Sequence, residues 1–344
     1  MSDVSFQNNV PDPLLSAKEL PCFKFELEKS TGKVLGNSFG KEVTVEQLPI
    51  SKGIAGVSMQ LEPGVMRELH YHATAAEWAF VLKGRVRTTV INQAGQTETN
   101  DFDRGDIWYF PRGHPHVLEC LGNEPTHFIL IFDNGYFSEF DTFSITDWIG
   151  HAPKPLLAKN FGLRESAFDG FPSEEVYFAR GAIPPEQIPE NLQGALIAPP
   201  QTHKFRMLSE APHGVFKGGR EWRVDSTRFP ISKTITGVIL DLEPAALREL
   251  HWHPNADEWQ YVIGGDVSVT MFGSHGRFRT ELLHVGDVGY IPQGYGHSIE
   301  NFSSEPSRIL IGFNSGIYES IDLSSWIAGN PVDVLATNFN NPNH

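Results

Sequence analysis

The chain contains the same sequence pattern twice, and this internal repeat limits the possible folds more than any other feature. Residues 67–72 (RELHYH) recur as residues 248–253 (RELHWH), 181 positions later. The same offset joins further pairs with no insertion or deletion between them: Ile50 and Ile231, Glu77 and Glu258, Gly84 and Gly265, Gly105 and Gly286, Pro111 and Pro292, His116 and His297. A register kept over about 65 residues indicates a duplicated domain rather than chance similarity.

The two copies differ in length by three residues. Trp148 and Trp326 are 178 positions apart, and so are Asn160 and Asn338. The first copy therefore has three additional residues between His116 and Trp148. This difference breaks the symmetry of the repeat.

Length, charge and composition exclude several classes of protein. The 344 residues suffice for two domains of about 150 residues each. A net charge of −15 argues against a nucleic-acid partner or an anionic membrane surface, since both need a basic surface. No run of 18 apolar residues predicts a transmembrane helix, and the N-terminal residues lack the pattern of a signal peptide. Cys22 and Cys120 are not a disulfide framework, which fits a reducing compartment, and we expect a cytoplasmic protein.

Many short strands are expected in each copy. Residues 84–90 (GRVRTTV) and 266–270 (DVSVT) are rich in β-forming residues and alternate in part between apolar and polar side chains. Residues 106–111 (DIWYFP) form an apolar run that a proline ends. Helices are predicted only near residues 145–161 and 323–339. The pattern favours an all-β fold, with a sandwich or a closed barrel in each copy.

The repeat and a proline-rich stretch predict four segments. An N-terminal extension covers residues 1–40, the first domain covers 41–165, and the second domain covers 206–344. The linker between the domains covers 166–205 and has five prolines between residues 181 and 200. Because proline restricts its own backbone and that of the residue before it, this stretch is expected to be extended.

Each copy carries three histidines and one glutamate at the spacing of a metal site. His70 and His72 alternate along a strand and therefore project to the same face. Glu77 follows after a turn, and His116 lies on a later strand. The second copy repeats the set as His251, His253, Glu258 and His297. Structural zinc is disfavoured because neither cysteine lies in either set. The set suits octahedral Mn or Fe, although ligand type alone does not distinguish these from Cu, Ni or Co.

The spacing of these ligands resembles the two motifs of the cupin family. The pattern G-x5-H-x-H-x4-E-x6-G begins at Gly64, and the pattern G-x5-P-x-G-x2-H begins at Gly105. The chain therefore resembles a bicupin, which implies two tandem cupin barrels (double-stranded β-helix, or jelly-roll) with short flanking helices. Cys120, Ala245 and Tyr71 depart from the residues usual in the family, and none of them is a predicted ligand.

Over about residues 40–340 the chain resembles one group of bicupins in particular, the oxalate decarboxylases. The resemblance is carried by the segments RELHYH, EWAFVLKG, GDIWYFPRGHPH and RELHWHPNADEWQY. It implies an enzyme that converts oxalate into formate and CO2, with two Mn2+ ions per chain and O2 as a catalytic oxidant. It also implies a homo-oligomer, either a trimer or a hexamer.

The same resemblance assigns roles to three further residues of the first copy. Arg67 matches the active-site arginine, and Glu139 matches a glutamate on a lid loop that takes up and returns a proton. Glu139 lies in the segment that holds the three additional residues. Thr142 ends this loop and is predicted to bind substrate together with Arg67. Phe140 and Asp141 depart from the small polar residues usual in the loop, so Asp141 is an alternative acid.

Arg67 lies at an odd spacing from the first ligand histidine. In a regular strand, a separation of three residues places Arg67 and His70 on opposite faces. A twist or a β-bulge near Gly64 would bring both to one face. The alternative is a surface ion pair between Arg67 and Glu68 or another acid.

The second copy is expected to bind metal with little or no turnover. Its loop is three residues shorter, and residues 309–313 (ILIGF) contain no carboxylate. Arg248 takes the position of Arg67 in this second site.

Two other functions remain open. An oxalate oxidase has the same ligands but releases H2O2 and two molecules of CO2, and the choice depends on whether the lid delivers an acid. A non-enzymatic bicupin would store manganese or serve as a seed-storage protein. Storage bicupins tend to lose metal ligands, whereas this chain keeps all eight.

Overall fold

The computed structural model describes residues 18–190, 197 and 201–339. Each copy of the repeat forms a barrel of two antiparallel sheets, and short helices follow each barrel. The predicted all-β fold of two tandem barrels with short flanking helices is confirmed. Across the described residues, no helix combines the length and the hydrophobicity that are needed to span a bilayer.

The strands are short and follow one another closely. The strands before residue 206 are β1 (Lys24–Phe25), β2 (Lys33–Leu35), β3 (Ser38–Val43), β4 (Ala55–Leu61), β5 (Val65–Tyr71), β6 (Glu77–Lys83), β7 (Arg85–Ile91), β8 (Thr97–Phe102), β9 (Ile107–Phe110), β10 (His116–Leu121), β11 (Thr126–Phe132), β12 (Phe143–Ser144), β13 (Phe178–Arg180) and β14 (Lys204–Phe205). The later strands are β15 (Gly214–Phe216), β16 (Gly219–Val224), β17 (Thr236–Leu242), β18 (Leu247–Trp252), β19 (Glu258–Gly264), β20 (Val267–Gly273), β21 (Arg277–Leu283), β22 (Val288–Ile291), β23 (Gly296–Glu300), β24 (Ser307–Phe313) and β25 (Ile321–Asp322).

Short 3₁₀ turns occur at Leu27–Lys29, Glu165–Phe168 and Met207–Ser209, but the α-helices of the described residues all lie in the two segments that were predicted to be helical. They are α1 (Ile145–His151), α2 (Lys154–Phe161), α3 (Leu323–Ala328) and α4 (Val332–Asn338). Helix α2 begins after Pro153 and ends at Gly162, whose φ of 66° lies in the left-handed region that favours glycine.

The two barrels have the same sheet topology. The first has a seven-stranded sheet in the order β14-β9-β6-β11-β4-β3-β2 and a second sheet in the order β12-β5-β10-β7-β8, with β13 also paired to β5. The second barrel has the orders β1-β22-β19-β24-β17-β16-β15 and β21-β20-β23-β18-β25. In the first barrel, β12 and β13 both pair with β5. In the second barrel, β18 is the equivalent of β5, and within the described residues only β25 pairs with it in the corresponding position.

Each seven-stranded sheet ends in a strand that comes from the segment before the other barrel. Strand β1 pairs with β22 of the second barrel, and β14 pairs with β9 of the first. The predicted linker, residues 166–205, thus contributes β13 and β14, and the predicted boundary at residue 40 falls inside β3. The extended course predicted for the linker includes residues 191–196 and 198–200, which lie outside the described residues. The domain limits stay predictions.

The barrels pack against each other through their seven-stranded sheets. Trp78 on β6 lies against Gly237 on β17, and Trp259 on β19 lies against Gly56 on β4. The repeat relates these two contacts, and a β-carbon at either glycine would collide with the indole ring. Because these sheets are covered on both faces, β4 and β17 are buried over nearly their whole length.

The three additional residues of the first copy lie in one loop. The loop between β11 and β12 spans residues 133–142, whereas the loop between β24 and β25 spans residues 314–320. We call residues 133–142 the lid. The lid includes a 3₁₀ turn over Glu139–Asp141, which begins at Ser138, where the hydroxyl oxygen accepts a hydrogen bond from the amide of Phe140. The lid therefore leads directly into β12, which pairs with the ligand-bearing strand β5.

Candidate metal centres and active site

A β-bulge in β5 turns Arg67 and His70 to the same face of the sheet. Between these two residues, β5 has one residue more than the part of β10 that pairs with it. Arg67 is fully buried, whereas Leu69 is 44% exposed. Of the two explanations considered, a twist or a bulge near Gly64, the structure has a bulge, and it lies at Glu68 and Leu69. Strand β18 of the second barrel has the same irregularity.

The alternative ion pair between Arg67 and Glu68 is absent from the described contacts of both residues. Glu68 accepts hydrogen bonds from the hydroxyl of Thr146 at 2.6 Å and from the amide of Tyr177 at 2.6 Å. Glu68 thus connects α1 to the segment before β13, and Arg67 pairs with a different carboxylate.

The first ligand set lies inside the first barrel, on β5, β6 and β10 and the turn after β5. His70, His72, Glu77 and His116 are buried, and one donor atom of each lies within 4.8 Å of the others. Glu77 Oε2 is 2.9 Å from His72 Nε2 and 3.3 Å from His116 Nε2. The fold thus brings together four residues that were selected from their spacing in the sequence.

Hydrogen bonds orient these candidate ligands. Nδ1 of His70 donates to a backbone carbonyl at 2.6 Å, and Nδ1 of His116 donates to another at 2.9 Å. The Nε2 atoms of both rings are buried without a hydrogen-bond partner, which fits atoms that coordinate a metal ion. The indole of Trp108 donates to Oε1 of Glu77 at 2.6 Å and leaves Oε2 facing the histidines.

The electrostatics of the first set also suit a cation. Burial, together with Arg67, lowers the pKa of His70 well below its usual value. Burial alone would raise the pKa of Glu77, but His116 and His72 hold it below the usual value. Neutral imidazoles and an ionised carboxylate are the forms that bind metal, so the residues fit a divalent ion.

The second ligand set repeats this arrangement in the second barrel. His251, His253, Glu258 and His297 are buried, and one donor atom of each again lies within 4.8 Å of the others. Glu258 Oε2 is 2.9 Å from His253 Nε2 and 3.0 Å from His297 Nε2. Gln260 donates to Oε1 of Glu258 at 2.7 Å, where the first site has a tryptophan. Burial and His297 lower the pKa of His251 to about 2.

The lid positions Glu139 between Arg67 and the first ligand set. Glu139 is buried, and its Oε1 accepts a hydrogen bond from Arg67 Nε at 2.8 Å and lies 3.9 Å from His70 Nε2. Oε2 of Glu139 is 3.7 Å from His72 Nδ1. Nη2 of Arg67 donates to the hydroxyl of Thr142 at 2.6 Å. Arg67, Glu139 and Thr142 therefore meet beside the metal ligands.

The two unusual residues of the lid occupy different environments. The side chain of Asp141 is exposed, so this alternative acid lies at the surface rather than in the buried site. Phe140 is partly buried and packs edge-on against Tyr177 at a ring distance of 6.0 Å.

The second site differs from the first around its arginine. Arg248 donates to Oδ1 of Asp322 at 2.9 Å and to the hydroxyl of Ser320 at 3.0 Å. Ser320 corresponds to Thr142 of the first copy. A cleft of about 1040 Å³ opens beside Arg248, whose side chain is 20% exposed, whereas the side chain of Arg67 is fully buried.

Other side chains complete the surroundings of the second ligand set. The ring of Tyr318 packs against His253 at 5.5 Å, on the shorter loop of this copy. Glu221 on β16 lines the small cavity beside the ligands. Glu221 belongs to β16, whereas residues 309–313, which contain no carboxylate, belong to β24.

Comparisons with known proteins agree with this geometry. The sequence matches the cupin family over residues 28–168 and 205–342. It is 40% identical to oxalate decarboxylase OxdC of Bacillus subtilis over 305 residues, which cover 89% of this chain and 78% of that protein. This chain belongs to the oxalate decarboxylase family of bicupins. A probable oxalate decarboxylase of Arthroderma benhamiae is 35% identical over 327 residues, covering 94% of this bicupin and 80% of the relative. A structure of the Bacillus subtilis enzyme at pH 4.6 matches with a TM-score of 0.86 at 38% identity, covering 95% of this chain and 85% of the other.

Sequence reasoning missed some residues of the bicupin's first site. The ring of Tyr177 lies 3.9 Å from the guanidinium carbon of Arg67, and its carbonyl accepts a hydrogen bond from Arg67 Nη1 at 3.4 Å. Tyr177 comes from the predicted linker and has a φ of 58°, and no motif marks it. Trp108 lies in the apolar run of residues 106–111, but this pattern does not reveal which carboxylate its indole contacts.

Proposed function

We propose that this bicupin is a manganese-dependent oxalate decarboxylase that converts oxalate into formate and CO2 at its first metal site. The observation that carries the proposal is the buried contact between Glu139 and Arg67 beside the first ligand set. Glu139 can carry a proton, and Arg67 can bind a carboxylate group of the substrate. Both lie within a few ångströms of the first set of metal ligands.

Two Mn2+ ions per chain would be held by the two ligand sets. Three imidazoles and a carboxylate suit Mn2+, and a related structure at 37% identity and a TM-score of 0.87 comes from work on the Mn(II) centres of Bacillus subtilis oxalate decarboxylase. When bound, Mn2+ with O2 as the oxidant would supply the one-electron chemistry that the side chains lack.

Arg67 would bind a carboxylate group of the substrate. Oxalate is a small anion, and a protein with a net charge of −15 does not attract it from a distance, so the positive charge must be local. Arg67 is fully buried, and its attraction for a carboxylate is therefore weakly screened by water. The hydroxyl of Thr142, which is 2.6 Å from Arg67, would contact the same substrate.

Glu139 would take the proton of hydrogen oxalate and later return it. Once the substrate has lost one electron, the C–C bond breaks and CO2 leaves. The remaining carbon then receives the proton from Glu139 and the electron back, which gives formate. Hydrogen oxalate thus yields CO2 and formate without net oxidation, and Arg67 stabilises the negative charge that remains on the product.

An apolar wall favours decarboxylation over oxidation. Phe132 and Phe137 pack edge-on against His72, with ring distances of 5.1 Å and 4.9 Å. Both phenylalanines are buried. Their packing limits the access of water, so that Glu139 is the nearest proton donor when CO2 leaves.

The second site would bind metal and contribute little turnover. Arg248 is partly exposed and paired with Asp322, next to an open cleft. Its loop brings Tyr318, not a lid carboxylate, against His253. Both features favour metal binding without the proton delivery proposed for the first site.

We also propose that the protein is a cytoplasmic homo-oligomer, either a trimer or a hexamer. Two exposed tryptophans at equivalent positions support self-association, Trp148 at 64% and Trp326 at 60% exposure. Size-exclusion chromatography with light scattering should give three or six times the mass of one chain, and a monomer at micromolar concentration would contradict this part of the proposal.

The test of the function is a product assay on the Mn-loaded protein with oxalate at mildly acidic pH. Equal amounts of formate and CO2, with little H2O2, are expected. H2O2 with two CO2 per oxalate would identify an oxidase instead. A protein that binds two Mn2+ ions per chain but forms none of these products would be a manganese store.

A further inference from the structure

Glu42, on β3, binds the lid from outside the loop. The hydroxyl of Ser138 donates to Glu42 and lies 3.0 Å from each carboxylate oxygen. The backbone amide of Glu139 donates to Oε2 of Glu42 at 2.9 Å. The two lid residues that Glu42 holds are thus Glu139 itself and the residue before it.

Lys33, on β2, makes a second contact with the lid. Its ammonium group donates to the carbonyl of Phe140 at 3.3 Å and pairs with Glu175 at 2.8 Å. It also lies 5.3 Å from the ring centroid of Phe140 and 4.3 Å from that of Tyr177. The unusual Phe140 therefore has a defined place, between Lys33 and the ring that packs on Arg67.

We propose that Glu42 and Lys33 form a latch that holds the lid closed and fixes the position of Glu139 over the first metal site. Both are positioning residues, because neither contacts the ligand set or the proposed substrate site among the described contacts. The proposal rests on the proposed function for the part that concerns proton delivery. The closure of the lid itself does not depend on it.

The repeat supports a specific role for the latch. The residue that corresponds to Glu42 in the second copy is Arg223, and the one that corresponds to Lys33 is Gly214. Arg223 lies 4.3 Å from the ring of Tyr318, so this position has a different function there. The two latch residues occur in the copy that also has the longer loop and its glutamate.

The latch also couples lid closure to pH. Burial raises the pKa of Glu42 to about 7, and the charges of Glu139 and Asp141 act in the same direction, although its hydrogen bonds with the lid oppose the shift. The buried hydroxyl of Tyr177 also interacts electrostatically with Glu42. Opening the lid exposes Glu42 and returns its pKa towards the usual value. The closed lid therefore binds the proton more tightly, so closure becomes more favourable as the pH falls from about 7 towards the usual pKa of a glutamate, and this gain is absent above about 7.

The hydrogen bonds of Glu42 show which substitution preserves them without preserving its titration. At mildly acidic pH, a protonated Glu42 accepts from the amide of Glu139 with one oxygen and donates to the hydroxyl of Ser138 with the other. Glutamine offers the same acceptor and donor but does not titrate. Glu42→Gln should therefore keep the lid closed, whereas Glu42→Ala removes both hydrogen bonds.

Hydrogen exchange of the Mn-loaded full chain, followed by mass spectrometry of lid peptides, measures closure without an activity assay. Glu42→Ala should lower the protection of the lid at least about tenfold, as expected for the loss of one to two hydrogen bonds. Lys33→Ala should lower it less, because Lys33 is partly exposed. Glu42→Gln should stay close to wild type at mildly acidic pH and lose the pH dependence. Glu46→Ala is the matched control, since Glu46 is an exposed acid four residues on, and should change nothing.

Product assays on the same samples test the positioning of Glu139. Glu42→Ala should form less formate and a larger share of H2O2 at unchanged Mn content, and Glu42→Gln should restore formate at mildly acidic pH.

Wild-type protection in Glu42→Ala would overturn the latch, and so would pH-independent protection in the wild type. Lost protection with unchanged products would overturn the role in positioning Glu139. If Glu42→Ala does not fold, Lys33→Ala and the pH response of Glu42→Gln decide the same question. A wild type that forms no formate would refute the proposed function, while the exchange data would still test the latch.

Discussion

Replacing Glu139 by glutamine should abolish most formate production while leaving the metal in place. The amide keeps the size of the side chain and can still accept a hydrogen bond from Arg67, but it cannot carry a proton. Proton transfer by a positioned side chain contributes about 100-fold to 10,000-fold to a rate. The expected loss of formate output is therefore at least about 100-fold, or about 2.7 kcal/mol in the activation free energy.

The same substitution should also affect stability, and this effect must be separated from catalysis. Arg67 and Glu139 are both fully buried and 2.8 Å apart. Breaking a buried pair by removing one partner costs about 3–5 kcal/mol in unfolding free energy. The glutamine retains one hydrogen bond, and Arg67 keeps those to Thr142 and Tyr177, so the loss should fall below that range. Activity is therefore measured well below the melting temperature of the variant.

The assay counts formate, H2O2 and bound Mn2+ in parallel. Glu139→Gln should shift the remaining turnover towards H2O2 and CO2, since the intermediate lacks its proton donor. Metal content should not change, because Glu139 is outside the ligand set. Asp141→Asn is the matched control in the same loop and should keep nearly full formate output. If Asp141→Asn loses formate and Glu139→Gln keeps it, the acid is wrongly assigned. If neither change matters, the lid does not deliver the proton.

Three further predictions concern the ligands and the second site. Trp108→Phe removes the hydrogen bond to Glu77 and should weaken Mn2+ binding at the first site about 10-fold to 100-fold, measured by chelator competition; an unchanged affinity would contradict the orienting role of the indole. The metal-free protein should lose thermal stability as the pH falls below about 6.5. Burial lowers the pKa values of His70 and His251 in the folded chain, so the unfolded chain binds protons that the folded chain does not. A melting temperature that stays constant down to mildly acidic pH would contradict this prediction. Glu221→Gln should leave formate output unchanged if the second site turns over little, and a clear loss would assign part of the activity to that site.

The ligand sets could be predicted from the sequence because their signals are local. Alternate residues on a strand share a face, so His70 and His72 must project together, and the repeat marks the same pattern at His251 and His253. The short helices and the site of the three additional residues follow from equally local patterns.

The rest depends on tertiary packing that no local pattern contains. The bulge lies at Glu68 and Leu69 because of the way β5 pairs with β10, and a sequence motif does not specify that register. Strands β1 and β14, each of which pairs with the barrel that is more distant in sequence, have two residues each. Two residues are too few for a recognisable alternation of apolar and polar side chains. Glu42 is 97 positions from the amide that it binds, and Tyr177 is 110 positions from Arg67. Such contacts become visible only when the chain is folded.

The central claim, that oxalate is decarboxylated at the first site alone, is tested most directly by removing one ligand from each site in turn. Glu77→Ala and Glu258→Ala are equivalent changes at positions related by the repeat, and both should lose metal from their own site only. The account predicts that Glu77→Ala forms no formate and that Glu258→Ala retains most of the formate output per remaining Mn2+. Equal residual activity in the two variants, with the untouched site shown to be occupied, would contradict it.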